Sequence, residues 1–98
     1  MEGSVLAPPS RDLLRLLAAL SDENRFRIVA LLSAERCELS SGAVGSALGL
    51  SPSLVSHHLS ILEAAGVVDR RKDGLCTMNR LRREILRQHF SLLSKLFD

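Results

Sequence analysis

Between Ser41 and Leu81 the chain carries boundary signals spaced so tightly that few folds can accommodate them. Gly49-Leu50-Ser51 is a three-residue connection, with Gly49 placed to end one helix in the left-handed conformation. Ser51 followed by Pro52 opens the next: the hydroxyl caps the new helix, and the proline ring stands where an N–H would have no partner anyway. That helix runs SLVSHHLSILEAA and stops at Gly66. Two short runs, VVDRRK and LCTMNRL, then flank Asp73-Gly74, which reads as a β-hairpin with a primed turn.

The flanking segments complete the pattern. Ser10 can cap a first helix, RDLLRLLAAL, to about Leu20, with leucines around well over half its circumference. Ser21 or Asp22 starts a second helix that carries Phe26, Ile28, Val29, Leu31 and Leu32 and fades near Ser33. The polar stretch AERCELSS separates it from a short third helix over about Ser41–Leu48, and a last helix covers about Arg83 to Phe97. The predicted fold class is mainly α with a small β-hairpin, in the order α-α-α-α-β-β-α. That is a winged helix-turn-helix, forming one domain over residues 1–98 behind a loose tail at 1–9.

The fourth helix, near residues 52–65, has an unusual polar face. Leu54, Val55, Leu59, Ile61 and Leu62 form its apolar side, whereas Ser53, Ser56, His57 and Ser60 share one exposed face. A merely solvated face normally carries Glu and Lys, which favour helix; serine is a mediocre helix former. Short donors that let a helix lie deep in the major groove of DNA account for it, with serines reaching base edges or phosphates and His57 reaching further. The alternative is a set of incidental surface serines. His58 falls toward the apolar side and reads as a partly buried histidine bonded to backbone. The adjacent His57 and His58 point about 100° apart, which argues against a shared metal or catalytic role.

Charge supports a polyanion partner. Residues 1–50 hold five basic and six acidic groups, and residues 51–98 hold eight and five. The excess concentrates in Arg70, Arg71, Lys72, Arg80, Arg82, Arg83 and Arg87. Arg70, Arg71 and Lys72 lead into the hairpin beside the reading helix, placed for flanking phosphates or the minor groove. Together with Ser51, Pro52, Ser53, Ser56, His57 and Ser60 they make up the expected DNA-binding set.

From Leu17 to about Leu81 the sequence resembles the ArsR/SmtB family of bacterial transcriptional repressors. The resemblance rests on ALSDENRFRIVALL and on GLSPSLVSHHLSILEAAGVVDRRKDG. It implies a cytoplasmic homodimer whose repression is released by an inducer. It also implies that Pro52, Ser53, Ser56 and His57 face DNA, with Arg70, Arg71 and Lys72 on the wing. Dimerisation follows separately from the end helices: Ile85, Leu86, His89, Phe90, Leu92, Leu93, Leu96 and Phe97 cover more surface than one small core can bury. A two-fold dimer pairing through its first and last helices would set two reading heads about 34–36 Å apart and favour double-stranded DNA with an inverted repeat.

The sensing motifs of the family are missing. Where arsenic-sensing members have a Cys-x-Cys pair, this chain has only Cys37, and the last helix offers His89 without the acidic and histidine partners of zinc-sensing members. Redox-sensing members use a second cysteine in the last helix, but here it is Cys76, in the hairpin. Cys37 and Cys76 therefore stand as candidate sensing thiols whose plainer reading is a semi-exposed thiol and a small apolar hairpin residue. No cofactor, metal site or catalytic residue is expected, and a thiol enzyme would need a positioned base and a pocket.

No apolar run approaches the roughly 20 residues of a membrane span, and MEGSVLAPPS lacks the pattern of a signal peptide. Reduced cysteines and a cytoplasmic location are the corresponding expectation. Beside the repressor reading stands one other class, a winged protein-interaction module that does not read DNA. It is favoured by the absence of Lys and Arg from the reading face.

Overall fold

The computed structural model describes residues 11–98, so the Ser10 cap and the tail expected at 1–9 lie outside the described residues. Helix α1 (Arg11–Leu20) turns Leu13, Leu16 and Ala19 inward. In helix α2 (Glu23–Ala34), which buries Ile28 and Leu32, the N-cap is Asp22, whose carboxylate accepts from the Arg25 backbone N–H at 3.0 Å. A two-residue strand β1 (Leu39–Ser40) precedes α3 (Ser41–Leu48), and α4 (Pro52–Ala64) follows. Strands β2 (Val68–Asp73) and β3 (Cys76–Leu81) form the hairpin, and α5 (Arg83–Ser94) ends in a 3₁₀ turn over Lys95–Phe97. None of the helices among the described residues is long and apolar enough to cross a membrane.

The boundary signals act as their chemistry requires. Gly49 has φ +69° at the end of α3, and the Ser51 hydroxyl accepts from the Leu54 N–H at 3.3 Å. At the end of α4 the N–H of Gly66 bonds the Glu63 carbonyl at 2.9 Å and that of Val67 bonds the Leu62 carbonyl at 3.0 Å, with Gly66 at φ +79°. The chain thereby turns directly from α4 into the hairpin.

Two details differ from the sequence expectation. The stretch around Cys37 is not simply a loop: Leu39 and Ser40 pair antiparallel with Asn79 and Met78, giving a three-stranded sheet in the order β1-β3-β2. A two-residue strand is too short to show an alternating pattern. The hairpin turn is also shifted by one residue. Asp73 pairs with Cys76, so the two turn residues are Gly74 and Leu75, and only Gly74, at φ +63°, needs a positive angle. That is the II′ arrangement, with Gly first, and it leaves Leu75 fully exposed at the wing tip.

The core is aliphatic. Leu16, Ile28, Leu32, Val44, Val55, Leu59, Leu62, Val67, Val68 and Leu81 bring all the helices but the last, and the root of the wing, into one cluster. Helix α5 touches it only through partly buried Ile85 and Leu86, and no residue of α5 is itself buried. The principal extents are 52 × 21 × 20 Å.

The helix-turn-helix is closed by the approach of α3 to the turn at Gly45. A β-carbon there would lie 2.9 Å from the Leu50 carbonyl oxygen and 3.3 Å from Val55 Cγ2. Backbone cannot yield as a flexible side chain would, so Gly45→Ala is expected to destabilise the domain by about 1–3 kcal/mol. A thermal melt of the variant checks this, and an unchanged midpoint would mean that the two helices separate freely.

Candidate nucleic-acid interface

Helix α4 presents Pro52, Ser53, Ser56, His57 and Ser60 to solvent, while Val55, His58, Leu59 and Leu62 face the core. Leu54, expected on the apolar side, is 37% exposed, unlike the buried Val55 next to it. The outward face thus carries small hydroxyls and one imidazole at an N-terminus where backbone N–H groups and the helix dipole favour an anion such as phosphate.

His58 holds the helix from behind. It is only 5% exposed, and its Nδ1 lies 3.3 Å from Arg25 Nη1 and 3.9 Å from Asp22 Oδ1. Its partners are therefore side chains at the start of α2, not the backbone group expected. Arg25 is fixed in turn by donating through Nε to the Ala19 carbonyl at 2.7 Å. The Arg25 backbone N–H holds the Asp22 carboxyl below its usual range, and the nearby Arg25 and His58 add to this. The His57 and His58 rings are tilted neighbours with centroids 5.4 Å apart.

The wing is tied to α4 by a polar network. Arg70 donates through Nε to Asn79 Oδ1 at 3.0 Å and through Nη1 to the Ser60 hydroxyl at 3.2 Å. Asn79 is completely buried, and its Nδ2 donates to the Leu39 carbonyl at 3.0 Å, the Ser41 hydroxyl at 3.1 Å and the Thr77 carbonyl at 3.3 Å. One amide thus joins β1, the start of α3, both wing strands and, through Arg70, helix α4. No sequence expectation covered Asn79. The signal was its two-residue spacing from Leu81, which places it on the inward face of β3.

The basic stripe is less open than its composition suggests. Arg71 donates to both Glu38 oxygens, through Nε at 2.8 Å, and lies 3.8 Å from Asp73. The Arg71 guanidinium holds the Glu38 carboxyl below the ordinary carboxylate range. Arg80 pairs with Asp69 at 2.6 Å, and Arg82 lies 3.7 Å from both Asp69 and Glu84. Of the three wing residues expected at DNA, Arg70 and Arg71 are engaged within the domain, and Lys72 has no partner among the described residues.

Cys37 and Cys76 are exposed free thiols. Cys37 shares a cavity wall with Leu81 and Cys76 begins β3 at its other end, roughly 16 Å away at about 3.3 Å per residue, well beyond disulfide reach. Among the described residues no group of three His, Cys, Asp or Glu side chains could hold a metal ion.

Comparison with known proteins agrees with this geometry. A family described as a helix-turn-helix domain matches residues 20–71. The chain is 34% identical over 82 residues to the transcriptional activator HlyU of Vibrio cholerae, covering 84% of this chain and 74% of that protein. It is 42% identical over 59 residues to a putative arsenical resistance operon repressor, ArsR, of Halobacterium salinarum, covering 60% of this chain but only 46% of that one. The solved structure of an ArsR-like transcriptional regulator from Rhodococcus sp. RHA1 superposes with a TM-score of 0.76 at 29% identity, over 87% of this chain and 78% of that one.

Proposed function

The chain belongs to the ArsR/SmtB family of winged helix-turn-helix regulators, and on that premise we propose that it is a homodimeric, cytoplasmic repressor that binds an inverted-repeat operator until an inducer releases it. The observation that carries the reading is the outward face of α4: Ser53, Ser56, His57 and Ser60 are exposed together beside a capped helix N-terminus. Ser51 and Pro52 set that N-terminus against a phosphate, and Ser53, Ser56 and His57 reach base edges or phosphates. Ser60 and Arg70 hold the wing at a fixed angle to the helix, and Lys72, with Arg71 once it leaves Glu38, reaches a flanking phosphate. Reading heads one DNA turn apart come from pairing α1 and α5 with their copies. The described residues offer no metal cluster on which to base a metal inducer.

A specific observation favours a second reading, recognition of another protein: Arg71, Arg80 and Arg82 already have acidic partners. Fluorescence anisotropy with the DNA upstream of the protein's own gene and a scrambled duplex, across several salt concentrations, separates the two. The repressor reading predicts preferential binding that weakens steeply with salt. His57→Ala should then weaken operator binding by about 1–3 kcal/mol at an unchanged melting temperature. Lys72→Ala, which removes one phosphate contact from each of two subunits, should lower the salt slope by about 1.8 while leaving sequence preference intact. Equal binding to both duplexes, or none, assigns the winged fold to a protein partner.

A further inference from the structure

A cavity of about 190 Å³ opens where the end of α2, residues 35–37, the end of β3 and the first turn of α5 meet. Its walls carry four guanidinium groups, Arg36, Arg80, Arg83 and Arg87, against two carboxylates, Glu35 and Glu84, with Cys37 at the same wall. Several of these cations have hydrogen-bonding capacity to spare. Arg83 spends one nitrogen, Nη2, on the carbonyls of Leu32 at 3.4 Å, Ser33 at 3.0 Å and Glu35 at 3.1 Å. That contact covers the negative end of α2, which would otherwise repel an anion, and leaves Nε and Nη1 of Arg83 free. Arg36 and Arg87 have no ion pair or hydrogen bond among the described residues. Glu84 lies 3.7 Å from Arg82 and Arg80 is taken by Asp69 at 2.6 Å, so Glu35 alone among the wall carboxylates offsets Arg36, Arg83 and Arg87, and two positive charges remain.

We propose that this cleft binds a small dianion, an inorganic oxyanion or a short dicarboxylate, held by Arg36, Arg83 and Arg87. Guanidinium forks match the paired oxygens of carboxylate and phosphate-type groups. The volume is that of a small acid. The site is separate from the reading face of α4 and lies at the root of α5, so an occupant would brace that helix against the body.

Cys37 reports on occupancy, and the exposed Cys76 on the wing is an internal reference. The intact reduced protein is treated with uncharged iodoacetamide in sodium phosphate, in sodium malonate, or in sodium chloride of equal ionic strength, and each cysteine is followed by peptide mass spectrometry. The proposal expects phosphate, malonate or both to slow alkylation of Cys37 saturably, about fivefold once the anion exceeds its Kd fourfold, with Cys76 unchanged. Slowing by phosphate alone marks an oxyanion site and slowing by malonate alone a dicarboxylate site. Protection should disappear in a variant carrying Arg36→Gln and Arg87→Gln, two exposed positions whose replacement leaves the core intact. Equal slowing by chloride, equal slowing at both cysteines, no slowing, or full protection in the double variant would overturn the proposal. None of these readings depends on DNA binding.

Discussion

A protein carrying Phe90→Glu and Phe97→Glu is expected to sediment as a monomer and to bind its operator about a hundred- to ten-thousand-fold more weakly, the range lost when two linked half-sites become independent. The chain has three phenylalanines and no tyrosine or tryptophan, and Phe26, Phe90 and Phe97 are 59%, 47% and 82% exposed. Two of the three stand on α5 and its terminal turn, alongside exposed Leu92 and Leu96. A helix that packs on the core only through Ile85 and Leu86 and exposes this much apolar surface is the face proposed to pair with a second copy. Because both phenylalanines are outside the core, charging them removes nothing from the fold of one subunit. Sedimentation and a thermal melt should therefore diverge, with the dimer lost and the monomer's cooperative transition kept. A double variant that still sediments as a dimer would place the interface elsewhere.

The second large effect is expected at Asn79. Asn79→Ala removes the amide that donates to Leu39, Ser41 and Thr77 and accepts from Arg70, leaving the part-buried Leu39 carbonyl and the Arg70 Nε without this partner, while the Thr77 carbonyl keeps the Ser41 hydroxyl at 3.4 Å. Losing several such bonds at a completely buried position should destabilise the domain by about 3 kcal/mol. In a domain of this size that lowers the melting midpoint by more than about 10 °C. Ser60→Ala breaks only the outermost link of the network, at an exposed hydroxyl, and should change the midpoint by less than about 1 kcal/mol in equivalent stability. A melt of Asn79→Ala within a few degrees of the wild type would show that water replaces the amide and that the wing is not fixed through it.

The parts of the fold legible in the sequence are those set by local chemistry. Gly49, Ser51, Pro52 and Gly66 each act on the backbone within a turn of their own position, so they mark α3, α4 and the start of the wing correctly. The outward face of α4 was legible for the same reason, since helical periodicity alone separates Ser56 and His57 from Val55 and Leu59. What was not legible depends on partners distant along the chain. Strand β1 exists because β3 offers it a free edge 40 residues away, where Leu39 meets Asn79. His58 was placed at the core face, yet its link to Arg25 spans 33 positions. The arginines of the wing could be counted, but composition does not say that Glu38, far along the chain, takes up Arg71.

The same ion-paired strand bears on how crowded copies of the protein behave. In the order β1-β3-β2, strand β2 lies at an edge with its outer backbone groups unpaired, an opening to which another strand could add. Residues 69–73 on that edge are all charged, Asp-Arg-Arg-Lys-Asp. A second copy laid alongside antiparallel with Arg71 opposite Arg71 would set Arg70 against Lys72 and Asp69 against Asp73, like charge against like. Wings from neighbouring molecules therefore repel each other, and sheet-to-sheet polymerisation is discouraged even where many copies gather on one stretch of DNA.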